Sequence, residues 1–221
     1  MQSTATRSRA VRDGVGVGVA VGLSGVAFGA ASITAGLSVA ETCALSLTAF
    51  TGASQFALIG VVGAGGNLLV GTAGALLLGG RNTLYGLRLS RLLQVRGPRR
   101  LAAAHAVIDE TTAVALAQPD PAAARAGFLA TSVSLFGVWN LMTLAGALAA
   151  NRIGDPKAFG LDAAVPAAFL ALLWPRVSNG DPRRRWIAVA GAAAAIAATP
   201  VLPPGVPVLL AALTALAGVR R

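Results

Sequence analysis

The residues best suited to chemistry in this sequence are polar side chains embedded in long apolar stretches. A strongly polar or ionisable group at membrane depth is costly, so such a group usually has a function or a paired partner. Three groups of this kind occur, and each offers a different chemistry. They are the hydroxyl and amide side chains between residues 46 and 55, the arginine at 81 with its neighbours, and the acidic pair at 109 and 110 with a histidine at 105.

The first group is a run of hydroxyl-bearing residues that ends in a glutamine. Thr48, Thr51 and Ser54 are spaced so that they share part of a helix face. Gln55 adds two hydrogen-bond donors and one acceptor. The same residues are equally suited to hydrogen bonds between helices, which are worth only about 0.6 kcal/mol on average. Two hypotheses stay open, a binding site that includes Ser54 and Gln55 and a packing contact between helices.

The second group lies at a break between two short apolar pieces. It consists of Gly79, Gly80, Arg81, Asn82 and Tyr85. The flanking pieces, 68–79 and 83–93, are each too short to span a bilayer. Backbone leaves helical form at that depth only where protein or a water-filled cavity satisfies it, so we predict a discontinuous helix or a re-entrant pair. The guanidinium of Arg81 and the free backbone N–H groups at such a break are suited to bind a carboxylate. The alternative is that the Arg81 side chain only extends to the membrane surface.

The third group combines two adjacent carboxylates with the one histidine of the chain. Residues four apart on a helix share a face, so we expect His105 to meet Asp109, while Glu110 points elsewhere. A partly buried carboxylate or imidazole titrates near neutral pH, which makes all three residues candidates for proton coupling. The alternative is an amphipathic cytoplasmic helix whose charges are solvated.

The segments that carry these groups are long enough to cross a membrane. Residues 14–40, 42–80 and 186–219 contain no charge, and about 20 apolar residues suffice for one crossing. The chain is 55% hydrophobic and 12% charged, with a mean hydropathy of +0.71. We predict an all-α fold, a polytopic membrane helix bundle with at least one discontinuous or re-entrant segment. The first helix, from about residue 14 to 36, is rich in small residues and is expected to pack inside the bundle.

The basic residues lie between the apolar runs, although the net charge of +10 invites a nucleic-acid interpretation. Their clusters fall at 7–12, 88–100, 176–185 and 220–221. This is the pattern of positive-inside topology and not the basic face of a nucleic-acid binder. We expect both termini in the cytoplasm, residues 1–13 as a cytoplasmic tail, and residues 14–221 as one transmembrane domain of about six to eight segments. This topology needs 67–94 to enter and return, and 101–117 not to cross.

The sequence lacks the sets of residues that common catalytic sites require. One histidine, one cysteine and no cluster of metal ligands leave no triad, zinc site or phosphate loop to assemble. We therefore predict neither an enzyme nor a cofactor. Cys43 is expected to serve packing, and Asp162 to stabilise the start of a helix between residues 159 and 174.

Several pieces of the sequence, taken in order, form a recognisable set. They are Gly36-Leu37-Ser38 with Glu41, Ser46 with the run from Phe50 to Phe56, Arg81 with Leu84-Tyr85-Gly86, Asp109-Glu110, Trp139, and Gly160-Leu161-Asp162 with Pro166 and Phe169. This set resembles the AzlC-type branched-chain amino acid permeases, the large subunit of azaleucine-resistance exporters. The resemblance runs from about residue 14 to 175. It departs from the family at Gly79, where an asparagine is usual, and at Ala163, where an aromatic residue is usual.

The resemblance implies export of branched-chain amino acids across the cytoplasmic membrane of a bacterium. It also implies coupling to the proton-motive force and a much smaller AzlD-type membrane subunit as partner. An apolar amino acid needs an anion site, a cation site and an apolar slot. Arg81 with the 79–82 backbone would receive the carboxylate, and Ser54 and Gln55 the ammonium group. Two alternatives stay open: a non-transporting scaffold subunit, and a transporter of another small solute.

Overall fold

The computed structural model describes residues 2–153 and 181–217, together with residues 167, 170, 173, 174, 177 and 178. Helices make up this part of the chain: α1 Gln2–Gly22, α2 Gly25–Thr34, α3 Val39–Thr48, α4 Gly52–Gly63, α5 Leu68–Gly79, α6 Arg81–Leu93, α7 Arg99–His105, α8 Asp109–Leu116, α9 Pro121–Ile153, α10 Pro182–Ala198 and α11 Val206–Ala217. Two stretches, Thr4–Thr34 and Pro121–Ile153, are long and apolar enough to cross a membrane. The predicted all-α membrane bundle with a discontinuous segment is confirmed. The helix predicted between 159 and 174, with Asp162, falls outside the described residues.

The frame of the molecule is a close parallel contact between α1–α2 and α9, which we call the glycine seam. It contains Gly14, Gly18, Gly22, Gly25 and Gly29, each of which faces a successively later residue of α9. A Cβ at Gly25 would lie 2.5 Å from the carbonyl oxygen of Trp139, so only hydrogen fits there. Small residues let helices approach this closely. The first helix therefore packs closely on α9 along one face, whereas its opposite face, with Val15 and Val19, is exposed, so the predicted position inside the bundle is only partly met.

The first helix begins earlier than its apolar run. The chain is already helical at Gln2, and α1 and α2 are separated only by a short break at Leu23 and Ser24. There the Ser24 hydroxyl donates to the carbonyl oxygen of Val21 at 2.6 Å. Residues 2–13 therefore continue the helix, and their location in the cytoplasm stays a prediction.

Helices α3 and α4 form a hairpin that enters the bundle from the C-terminal end of α9 and returns to that end. Midway down, the Ser46 hydroxyl lies 3.4 Å from that of Thr143, and Gly52 at the start of α4 faces the ring of Trp139. At its far end α4 returns to the end of α2. The uncharged stretch that begins at residue 42 is therefore not one continuous helix, because the chain breaks between α3 and α4. Thr51 is extended (φ −155°, ψ 98°), and threonine followed by glycine is a weak helix-forming pair.

Helices α5 and α6 together make one interrupted passage from the C-terminal end of α9 to its N-terminal end. The passage ends beside α9, where Nε of Arg125 donates to the carbonyl oxygen of Leu92 at 3.0 Å. Gly80 keeps helical angles (φ −55°, ψ −29°) and donates to the carbonyl oxygen of Leu76 at 2.8 Å. The α-helix nevertheless ends at Gly79 and begins again at Arg81, so the passage is interrupted at a single residue and the discontinuous helix is confirmed. The alternative re-entrant pair, with 67–94 entering and returning, is wrong because no reversal of direction occurs at Gly80.

Helices α7 and α8 form a second hairpin, which enters from the opposite end. The ring of His105 lies 5.9 Å from that of Phe136, near the middle of α9. Val114 has come back toward the N-terminal end, where a Cβ on Gly127 would lie 3.0 Å from its Cγ1. The segment 101–117 thus enters and returns without passing through the bundle, as the sequence predicted.

The two C-terminal helices form a further hairpin. Helices α10 and α11 run antiparallel, with Gly191 facing Thr214. The proline-rich turn between them packs on α4 and α5, since a Cβ at Gly205 would lie 3.0 Å from side-chain atoms of Val61 and Val70. Gly205 has φ +97°, a conformation that favours glycine.

The start of α3 carries a capping box that can be tested. The Glu41 carboxylate accepts from the Ser38 backbone N–H at 2.8 Å and from the Ser38 hydroxyl at 2.7 Å. The Ser38 hydroxyl in turn accepts from the N–H of Glu41. We expect Ser38→Ala to lower the free energy of unfolding in detergent micelles by about 1 kcal/mol. Ser90→Ala, at an exposed position on α6, is the control and should change it by less than about 0.5 kcal/mol. Equal effects of the two changes would contradict the cap.

Candidate functional site

The tips of the two hairpins meet halfway along α9. Phe50 lies at the tip of α3–α4, and His105 lies at the tip of α7–α8. Their rings are 5.9 Å apart, and both contact the ring of Phe136, at 5.0 Å and 5.9 Å. Hairpins that enter from opposite ends of the bundle therefore contact each other at its centre.

A cavity of about 420 Å³ lies at this meeting point. Such a volume is within the range of small-molecule sites. The hairpin tips and α4, the break between α1 and α2, the Gly80 break and the middle of α9 all contribute to its wall. Its lining consists of Val21, Ser24, Ala27, Phe50, Thr51, Gly52, Ala53, Phe56, Leu78, Arg81, Ile108, Asp109, Glu110, Leu135, Trp139 and Leu173.

One side of the cavity is an aromatic wall. Trp139 stacks on Phe28 with ring centroids 5.9 Å apart, and Phe56 meets Phe28 edge-on at 5.5 Å. Leu135 and Trp139 are buried beside them. A Cβ at Gly52 would lie 3.1 Å from Cη2 of Trp139, so glycine keeps the space next to the ring open. This wall suits an apolar side chain.

An ion pair occupies another part of the wall. Nη2 of Arg81 lies 2.8 Å from Oδ2 of Asp109, which joins the start of α6 to the start of α8. The two side chains are 32% and 28% exposed. Asp109 is well placed in the first turn of α8, because a helix N-terminus favours negative charge. Arg81 is at the start of α6, where the same effect disfavours a cation and favours an anion beside it.

The start of α4 adds a second feature that attracts anions. Thr51 is the N-cap residue, yet its side chain does not cap the helix. The first N–H groups of a helix have no acceptor within it, and Gly52 and Ala53, which carry two of them, line the cavity. The positive end of a half-helix therefore faces the same space as Arg81.

Of the three polar groups singled out in the sequence, Thr51, Arg81, Asp109 and Glu110 line the cavity, whereas Gln55 does not. The Gln55 amide donates to the carbonyl oxygens of Leu45 and Ser46, at 3.2 Å and 3.4 Å. These bonds hold α3 against α4, so the packing alternative describes Gln55 better than direct binding.

The remaining residues of the first two groups surround the Gly80 break without lining the cavity. The buried hydroxyl of Ser54 lies next to Gly79, where a Cβ would be 3.2 Å away. Gly80 is exposed, and Asn82 is partly buried with its amide oxygen shielded from solvent. Tyr85 packs on a second core cluster around Leu89.

Two expectations about the charged residues are corrected by the structure. The alternative in which the Arg81 side chain only extends to the membrane surface does not hold, because Arg81 is paired with Asp109 at the cavity. The predicted contact of His105 with Asp109 is wrong, because α7 ends at His105 and the turn before α8 removes their helical spacing. His105 is exposed and packs between two phenylalanine rings, and Asp109 is half-buried and not simply solvated.

Sequence reasoning missed the place of several lining residues. Ile108 was not singled out, and Phe50 and Thr51 were named without being assigned to a cavity, because they lie at hairpin tips, which hydropathy does not reveal. The available signal was the threonine–glycine pair at 51–52 inside an apolar run, a local weak point of a helix. Trp139 was noticed as an aromatic residue midway along a helix, but nothing in its spacing identified its neighbours.

The glutamine brace of the first hairpin gives a testable expectation. Gln55→Leu removes two hydrogen bonds from a side chain that is 1% exposed. We expect the free energy of unfolding in micelles to fall by about 1–3 kcal/mol, because buried acceptors lose their donor. Thr48→Ala, on the exposed face of α3, serves as the matched control and should have little effect. A Gln55→Leu protein as stable as this control would show that the amide does not brace the hairpin.

Comparison with known proteins agrees with this arrangement. The sequence profile of the family described as AzlC protein matches residues 16–153. The match contains both hairpins, the Gly80 break, α9 and the Arg81–Asp109 pair. No curated protein and no solved structure is similar enough to match this chain.

Proposed function

Because this chain belongs to the AzlC-type branched-chain amino acid permease family, we propose that it is the large subunit of a secondary exporter. Its proposed substrates are branched-chain or similarly apolar amino acids, carried out across the cytoplasmic membrane of a bacterium. The proton-motive force is the proposed energy source, and a small AzlD-type membrane protein is the proposed partner. The observation that supports this most directly is the cavity where the two hairpin tips meet.

The cavity has the features that an apolar amino acid requires. Arg81 and the N–H groups at the start of α4 are suited to a carboxylate. Phe56 and Trp139 are suited to a branched aliphatic side chain. Discontinuous helices that meet near the middle of a bundle are a common way for transporters to bind small ions and zwitterions.

The distribution of arginines supports an orientation in the membrane. α1 and α9 run parallel, and both carry arginines near their N-terminal ends, namely Arg7, Arg9, Arg12 and Arg125. Since positive charge favours the cytoplasmic side, we place that end of the bundle in the cytoplasm. The α7–α8 hairpin then enters from the cytoplasm and α3–α4 from outside. With this orientation we propose, as the arginine pattern of the sequence predicts, that residues 1–13 and both termini are cytoplasmic.

The proposal is tested by measuring efflux of radiolabelled leucine from bacterial cells that lack their own exporters. Cells that produce this chain alone are compared with cells that produce the chain plus a small AzlD-type protein, and with cells that produce neither. We expect efflux to need both proteins and to fall when an uncoupler collapses the proton gradient.

Two outcomes favour the alternatives. Efflux equal to that of empty cells, with both proteins present in the membrane, would favour a scaffold subunit. Efflux of a different small solute in a parallel screen, without leucine efflux, would favour a transporter with another substrate. Leucine efflux that is insensitive to the uncoupler would contradict the proposed energy source.

A further inference from the structure

We propose that Arg81 and Asp109 together form a zwitterion clamp. The ion pair opens when an amino acid enters the cavity, so that the substrate carboxylate binds Arg81 and the substrate ammonium group binds Asp109. This inference rests on the proposed function and deepens it: the ion pair would make both charges of a free α-amino acid necessary for binding, so that apolar amines and apolar carboxylic acids bind poorly.

The geometry of the pair leaves part of its bonding capacity unused. A guanidinium offers five N–H donors and binds a carboxylate best through two parallel hydrogen bonds. Here a single contact, from Nη2 of Arg81 to Oδ2 of Asp109, joins the two groups. Nε of Arg81 and Oδ1 of Asp109 are both shielded from solvent and have no hydrogen-bond partner within the described residues. Each ion therefore keeps hydrogen-bonding capacity for a further partner of opposite charge, which becomes reachable when the pair opens toward the cavity.

Charge balance favours a ligand with two charges over a ligand with one. The Arg81–Asp109 pair has no net charge, and neither has a zwitterion. When the contact between the two side chains is replaced by one contact from each of them to the zwitterion, every charge still has a partner. A ligand with one charge would bind one member of the pair and leave the other uncompensated, which is strongly unfavourable away from bulk water. Glu110 also lines the cavity and has an interaction of its own, so it is not counted as the ammonium ligand.

The surroundings of the pair fit the shape of the proposed substrate. Arg81 and Asp109 lie in the same cavity as the apolar side chains of Phe56, Leu135 and Trp139. A ligand with its charges at one end and a branched aliphatic group at the other would satisfy both parts of the wall. The position of Arg81 at a helix N-terminus further favours a second anion beside it.

The experiment compares leucine with two analogues that each lack one charge. Isoamylamine is leucine without the carboxylate, and 4-methylpentanoate is leucine without the amine. Binding to the full-length chain in micelles is measured as ligand-induced thermal stabilisation over a range of concentrations. For the unmodified chain we expect leucine to act at concentrations at least about tenfold lower than either analogue.

Single substitutions should invert this order in opposite directions. Arg81→Gln leaves only the carboxylate, so isoamylamine should now bind better than leucine. Asp109→Asn leaves only the guanidinium, so 4-methylpentanoate should now bind best. A pair with a purely structural role would not produce this mirrored change in preference. Arg88→Gln on α6 and Asp13→Asn on α1, both at exposed positions away from the cavity lining, remove the same charges as controls and should keep the original order.

The remaining outcomes decide between the clamp and its alternatives. If both single variants keep the original order, the clamp is wrong. If they do not fold, the double variant Arg81→Gln/Asp109→Asn, which leaves no unpaired charge, should lose the preference for leucine; its retention would also overturn the clamp. A chain that exports leucine but shows no such preference rejects the clamp alone. A chain that neither binds nor exports any apolar amino acid rejects the proposed function as well.

Discussion

Leucine export should fall at least about thirtyfold in the Arg81→Ala variant, while the amount of protein in the membrane stays near the wild-type level. Removing one member of a partly desolvated charge pair costs about 2 kcal/mol or more, which corresponds to about thirtyfold in affinity. We take the lower end of that range because the side chains of Arg81 and Asp109 are about one-third exposed. Radiolabelled leucine efflux, normalised to the amount of membrane-inserted protein, is the measurement.

The matched control for this change lies two turns further along the same helix. Arg88 is exposed on α6 and does not line the cavity. Arg88→Ala removes the same charge and should leave export nearly unchanged. Normal efflux from Arg81→Ala would exclude the guanidinium as a substrate ligand, and equal losses in the two variants would point to a general effect of charge.

Folding should fail, or nearly fail, when a single methyl group is added to the glycine seam. A Cβ at Gly29 would overlap the carbonyl oxygen of Thr143 and lie 2.7 Å from the backbone nitrogen of Ala147. Backbone atoms of α9 cannot turn aside as a flexible side chain can, so the helices must separate. We expect Gly29→Ala to lower the free energy of unfolding by about 3 kcal/mol or more, at the upper end of overpacking effects. Thermal unfolding in micelles and the yield of monodisperse protein both report on this.

The control for the seam is a glycine on the outer face of α1, the preceding helix. A Cβ at Gly16 would meet no atom within 4 Å. Gly16→Ala should therefore be neutral, or stabilising by up to about 1 kcal/mol, because alanine is the better helix former. If Gly29→Ala and Gly16→Ala unfold at the same temperature, the close parallel contact between α2 and α9 is not present.

Much of the fold was predictable because its signals are local in the sequence. The abundance of small residues in the first helix indicated that it packs closely on a neighbour. The interruption at Gly80 followed from two glycines beside an arginine in an apolar run. Each of these features depends on residues that are near one another in the chain.

The hairpins were not predictable in the same way. A segment that enters a bundle and returns is as apolar as one that passes through it, so hydropathy does not distinguish the two. The break at Thr51 persists because tertiary contacts, such as the Gln55 amide on the α3 carbonyl oxygens, hold the two arms together. In the local sequence, the only sign of this break was the threonine–glycine pair at 51–52, and it is a weak one.

The candidate site shows the same division between local and distant signals. Arg81 and Asp109 were each singled out as polar residues in apolar surroundings, but 28 positions separate them in the chain. Helical spacing paired Asp109 with His105 instead. That rule failed because the chain turns between them, with the Thr111 hydroxyl accepting from the N–H of Ile108 and donating to the carbonyl oxygen of Ala106.

Protection of a cysteine at the cavity by substrate tests the central claim most directly. Ala53 lines the cavity at the start of α4, and Cys43 is the one native cysteine. In a Cys43→Ser background, Ala53→Cys is labelled with a water-soluble thiol reagent with and without leucine, and Ser90→Cys on the exposed face of α6 serves as the reference. The account predicts that leucine slows labelling at residue 53 several-fold and leaves residue 90 unchanged. Equal labelling rates at residue 53, at leucine concentrations that support export, would show that the substrate does not bind between the hairpin tips.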